Sequence, residues 1–190
     1  MISFLEMAPV DLLRITQQRE VGLVGNDGRR ITEGWIDKAS NQLQIAKQLL
    51  ESRVRWSETI EAAQESIELS VKALLTLLQV EFPLTHGWNN EALTRIADQI
   101  QKRQLLLKLR EQGSLYWAAR LPRLLLLTNF WAQFYLPAKY GMEAGKLAPP
   151  QDLFEEGEAK LAVQHAEECY RAVSGLRYFD EDKLATLVGK

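Results

Sequence analysis

A chain of 190 residues, 46% hydrophobic and 25% charged, is long enough to fill one core and too apolar for a disordered polyelectrolyte. Its formal net charge of −2 excludes polyanion binding by overall charge and leaves only local patches for that purpose. The single cysteine, Cys169, excludes an intramolecular disulfide and fits a reducing, cytoplasmic setting.

The opening MISFLEMAPV holds an acid, Glu6, and no basic run, so no signal peptide is expected. Residues 1–30 read as an extension with a short helix around Asp11 to Glu20, followed by the turn chemistry of VGNDGRR. A long helix is predicted from Thr32 as N-cap, with Trp35, Ala39, Leu43, Ala46 and Leu50 on one stripe. RVRW interrupts it. Ser57 then caps a second helix reaching about Val80, with Glu58 and Glu61 near its positive end. Its apolar face is Trp56, Ile60, Ala63, Ile67, Leu74 and Leu78, widened by Leu69, Ala73 and Leu77. So broad a stripe needs more than one neighbouring helix, which puts this helix at the centre of a bundle.

FPLTHGW is a tight connection, and Asn89 or Asn90 opens a third helix ending near Gly113. Pro122 suits the first turn of a fourth helix that runs to about Leu136. The apolar window from Leu115 to Leu136 contains Arg120 and Arg123, so it reads as a core helix and not a membrane span. The connector LPAKYGMEAGK follows. Asp152 and Glu155 have capping-box spacing ahead of a last long helix that aligns Leu161, His165, Cys169 and Ala172, and a short terminal helix is expected after Asp180. The expectation is an all-α fold: an up-and-down antiparallel helical bundle of four to five long helices with short flanking helices, spanning residues 31–178, with 179–190 as a terminal helix or tail.

Several constellations could carry chemistry. Gln64, Glu68 and Lys72 stand at i, i+4 and i+8 on the second helix, a pattern that reads first as a solvated face with a weak ion pair. His165 and Cys169 are one turn apart, but both fall on the apolar face and too few further ligands exist for zinc. His86 reads as a capping or packing residue of its loop. No metal or cofactor is expected. The stretch from Arg95 to Arg123 has a balance of +5, with Tyr116 and Trp117 beside it for stacking, and the stretch from Glu143 to Glu168 has a balance of −5. These are two solvated faces, a phosphate-binding strip, or complementary surfaces of two molecules.

Four segments in order resemble one family. QESIELSVKALL (Gln64 to Leu75) running into FPLTHGW (Phe82 to Trp88), with its Pro83-Leu84-Thr85-His86 loop, is similar to the HEPN domain family (higher eukaryotes and prokaryotes nucleotide-binding). GWIDKASNQLQIAKQLLES (Gly34 to Ser52) resembles the family's first helix, and FYLPAKYG (Phe134 to Gly141) its Tyr-x-Pro-x-Arg-Tyr segment, before a final helix at Asp152 to Val173. The resemblance implies a helical homodimer. Many relatives are metal-independent endoribonucleases, often toxins, and others accompany a small nucleotidyltransferase in toxin–antitoxin pairs. Catalytic relatives use an arginine followed four to six residues later by a histidine.

Here Lys139 stands in the arginine position, and Glu143, Ala144 and Gly145 stand where the histidine belongs. Lysine keeps the charge without the bidentate fork, and the usual proton-transfer group is missing. The expected function is therefore nucleotide or RNA binding with lost or weak ribonuclease activity, through Lys139 and Tyr140, with Arg120 and Arg123 as further contacts. Two alternatives remain open: an interaction module for a small nucleotidyltransferase, or a ribonuclease using other groups such as Glu143 or Tyr140. No membrane partner is expected.

Overall fold

The computed structural model describes residues 26–112, 116–142, 146–179 and 181–189. The expected short helix at Asp11 to Glu20, the Gly113 cap and Glu143 to Gly145 lie outside them. Three long helices form the frame: α1 (Asn26–Ser52), α2 (Trp56–Leu77) and α7 (Glu156–Leu176). Between α2 and α7 come α3 (Asn90–Lys102), α4 (Leu105–Glu111), α5 (Leu121–Ala132) and α6 (Tyr135–Tyr140), and α8 (Glu181–Val188) closes the chain. No strand occurs among the described residues, and none of the described helices is long and apolar enough to cross a membrane. The all-α bundle expected from periodicity is the observed fold.

The broad apolar face of α2 explains the architecture. Ile60, Ala63, Ile67, Leu74 and Leu78 are all buried, and α2 packs against α1, α5, α6 and α7 together. Burying each of these isoleucine and leucine side chains contributes roughly 1.5–3 kcal/mol, so this helix is the energetic centre as well as the geometric one. Ser66 ties it to α1 by donating to the carbonyl of Ala39 at 2.8 Å. The chain leaves α1 through Arg53, whose φ of 58° is left-handed, and the short connection sets α1 and α2 antiparallel.

Several boundaries differ from the sequence reading. Helix α1 begins at Asn26, because Thr32 lies one turn before Ile36 on the buried stripe and the helix continues past it; Thr32 is not an N-cap. Arg55, not Ser57, precedes α2, and the Ser57 hydroxyl instead donates to the carbonyl of Pro150, fastening the approach to α7. Asn89 does cap α3, its side chain accepting from the Ala92 amide at 2.9 Å. The predicted third helix is broken at Gln104, whose φ of 53° turns the chain into α4. The capping box of α7 pairs Glu155 with Glu158, and Asp152 belongs to a preceding 3-10 turn, Pro150–Asp152. On α7, Cys169 and Ala172 are buried while Leu161 is exposed, because the inward stripe runs through Ala159, Ala162 and Ala166.

Candidate functional site around Glu68, His86 and Lys139

The strip Gln64–Glu68–Lys72 is not a solvated face. Glu68 and Lys72 are each 5% exposed and Gln64 1%, which overturns the solvent-facing reading. The reason is tertiary: α6 packs on α2, and the 82–88 connection supplies the carbonyls that Lys72 needs. Lys72 Nζ donates to Glu68 Oε1 at 2.6 Å, to the Thr85 carbonyl at 3.0 Å and to the Leu84 carbonyl at 3.3 Å. Gln64 Nε2 donates to Glu68 Oε2 at 2.9 Å, and His86 Nδ1 lies 2.8 Å from that same oxygen. Gln64 Oε1 is buried without a hydrogen-bond partner among the described residues.

Burial alone would raise the Glu68 carboxyl. The hydrogen bond and charge of Lys72, with the donors from His86 and Gln64, outweigh it and hold the group below its ordinary value. Glu68 is therefore ionised at neutral pH. An ionised carboxylate only accepts, so the proton of the His86–Glu68 bond resides on Nδ1. In the neutral imidazole Nε2 then carries a lone pair. The His86 side chain is 59% exposed, and its ring makes no second hydrogen bond among the described residues.

The loop that carries His86 is anchored at several points. Phe82 packs between Trp35 and Trp88, with ring centroids 6.3 and 6.1 Å away. Trp88 Nε1 donates to the Pro83 carbonyl at 3.1 Å. Gly87 has a φ of +67°, and a Cβ there would stand 3.0 Å from Ala132 Cβ, so the residue after His86 needs glycine both for its backbone and for its closeness to α5. His86 is more than a packing residue of its loop: it is a fixed ring with one face on Tyr135.

Helix α6 brings the remaining groups. The sequence reads LPAKYG as part of a connector, but Tyr135–Tyr140 is helical and ends at Gly141, whose φ of 78° stops the helix directly after Tyr140. His86 and Tyr135 stack, with centroids 4.6 Å apart and planes 12° from parallel. Lys139 Nζ donates to the Tyr135 hydroxyl at 3.2 Å, lies 3.4 Å from Glu61, and stands 5.3 and 5.8 Å from the ring centroids of Tyr135 and Tyr140. The Tyr135 hydroxyl and the Glu61 carboxylate hold the ammonium above its ordinary pKa. Tyr140 is 54% exposed. The structure thus joins Lys139 and Tyr140 to His86 and Tyr135, two residues that the sequence reading did not assign to the site. The Pro-x-x-His loop was the one visible signal for His86.

Arg120 and Arg123 lie elsewhere, at the start of α5. Arg123 grips Glu168 of α7 with both arms, Nε to Oε1 at 2.8 Å and Nη2 to Oε2 at 3.0 Å, and Arg120 Nη1 is 3.4 Å from Oε1. The basic and acidic stretches of the sequence therefore meet here within one molecule. Arg120 also lies over Trp117 and Tyr116, 5.6 and 6.0 Å from their centroids. Burial and the charge of Arg123 push His165 below its ordinary value, and its Nδ1 accepts from Trp131 Nε1 at 3.0 Å. Burial pushes the Cys169 thiol upward, which leaves it inert.

A helical bundle whose central helix buries a Gln–Glu–Lys strip beneath a Pro-x-x-His loop, with a Lys-Tyr pair ending a short helix beside it, defines the class. The HEPN domain family model matches residues 32–176, and the chain belongs to that family. Comparisons with curated proteins and with solved structures return no match.

Proposed function

We propose that this HEPN domain binds RNA or a nucleotide, with Lys139 meeting phosphate and Tyr140 offering its ring to a base. The observation that carries the reading is the Lys139 ammonium, held at the surface beside two tyrosine rings, with Glu61 the one carboxylate at it among the described residues. An exposed pair such as Lys139–Glu61 contributes little, so an incoming phosphate competes for the ammonium readily. Base–aromatic stacking adds about 1–3 kcal/mol per base. Arg120 and Arg123 serve as weaker contacts, since Glu168 already engages both. The arginine and downstream histidine of the family's ribonucleases are missing, so cleavage by those groups is lost or weak.

The test is fluorescence anisotropy with a labelled single-stranded RNA over a range of salt. Lys139→Ala should weaken binding and lower the log–log salt slope by about 0.7, the value for one lost contact to a single strand. Wild-type binding that ignores both salt and this substitution would overturn the reading.

A second reading is favoured by a different observation. Leu126 and Phe130, one turn apart on α5, are exposed together with Leu136 of α6 and Met142 beyond it. Such a surface suits a second copy in a homodimer, or a small nucleotidyltransferase in a toxin–antitoxin-like pair. Co-purification with a neighbouring nucleotidyltransferase, without RNA binding, would favour this interaction role.

A further inference from the structure

The geometry points to His86 as the proton-transfer group of this site, acting from the 82–88 connection in place of a histidine downstream of Lys139. The inference deepens the RNA-binding reading and rests on it. Three observations converge. The Glu68 carboxylate holds Nδ1, so the ring is oriented, its Nε2 lone pair makes no hydrogen bond among the described residues, and the side chain as a whole is 59% exposed. Tyr135 carries both His86, stacked on its face, and Lys139, bonded to its hydroxyl, so the basic nitrogen and the phosphate-binding ammonium share one platform. Lys72 and Gln64 keep Glu68 in place from below, which makes the carboxylate a fixed support and not a mobile competitor for substrate. This is the arrangement of base and orienting carboxylate that proton-transfer catalysis requires.

Among the described residues, the charged and titratable groups around the ring are Glu68 and Lys72 from α2, Tyr135 and Lys139 from α6, and Glu61 at Lys139. With an RNA phosphodiester on Lys139, Nε2 takes the proton of the adjacent ribose 2′-hydroxyl. The 2′-oxygen forms a bond to phosphorus, and the bond from phosphorus to the 5′-oxygen breaks. The leaving oxygen takes a proton from water, and the imidazolium returns its own proton to solvent. The products are a 2′,3′-cyclic phosphate and a 5′-hydroxyl, with no oxidant or metal in the balance.

The chain has two histidines, His86 and His165, so the comparison is clean. The experiment incubates the full chain with 5′-labelled single-stranded RNA in excess chelator across pH 5 to 9, and measures binding of the same RNA by anisotropy. Wild type should yield cyclic-phosphate ends, and His86→Gln should lose about 100-fold or more in rate while keeping RNA affinity and thermal midpoint. Added imidazole should restore part of the rate, and the rising limb of the wild-type pH profile should vanish in the variant. His165→Gln should cleave as wild type. No cleavage by wild-type protein that does bind RNA would overturn the proposal and leave the binding reading standing. No binding at all would sink both. Equal rates for His86→Gln and wild type would also overturn it.

Discussion

The molecule contains two clusters built from nearly the same residue types, wired in opposite senses. At one, Glu68 is buried, takes Lys72 and Gln64 from its own helix, and holds a histidine by Nδ1, leaving the ring's other nitrogen without a hydrogen bond among the described residues. At the other, Glu168 is gripped by Arg123 from a neighbouring helix, and His165 uses Nδ1 to accept from Trp131. His165 is thereby held neutral as a packing element between α5 and α7. His86 is held as a base. The difference lies not in composition but in whether the histidine's partner accepts or donates, and in which nitrogen remains open.

The largest expected contrast is in stability. Lys72→Met leaves Glu68 buried without its cation, and should cost about 3–5 kcal/mol in urea unfolding. A loss below about 1 kcal/mol would mean that water reaches the strip. Acid separates the clusters next. Glu68 and Glu168 both have folded-state values below the ordinary 4.5, where burial opposes and their cationic partners prevail. Their contribution is present above that value and is lost as pH falls through the folded ones. His165 is also lowered, from 6.5, so its share is present above 6.5 and disappears as the ring is forced to charge. The urea midpoint should therefore be level above pH 6.5 and fall below it, with a steeper fall beneath pH 4.5. A midpoint that rises on acidification would contradict both clusters. The smallest effect belongs to Arg123→Ala: its side chain is 40% exposed, so despite two good hydrogen bonds the loss should stay within about 1 kcal/mol.

How much of this was legible in the sequence differs by level. Helix α2 announced its central place because its apolar positions fill more than one stripe, and the pair Asn89-Asn90 announced a cap that the structure assigns to Asn89. The break at Gln104 carried no signal, since a left-handed glutamine has neither glycine nor proline to mark it. The helix over Tyr135–Tyr140 hid behind Pro137 and Gly141, which read as loop chemistry although proline is tolerated in a first turn. Spacing put Gln64, Glu68 and Lys72 on one strip but could not say that the strip is covered. An i, i+4 polar pattern looks the same in water and under a loop. The stack of His86 on Tyr135 joins residues far apart in the chain, and no local pattern encodes it. The family resemblance supplied the order of the motifs, and the structure supplied their meeting.

The most direct measurement is the tautomeric state of the two histidines, read from nitrogen-15 imidazole correlations by NMR at pH 8. The account predicts His86 with its proton on Nδ1 and a free Nε2, and His165 with the reverse. Finding both rings as the same tautomer, or His86 protonated on Nε2, would contradict it.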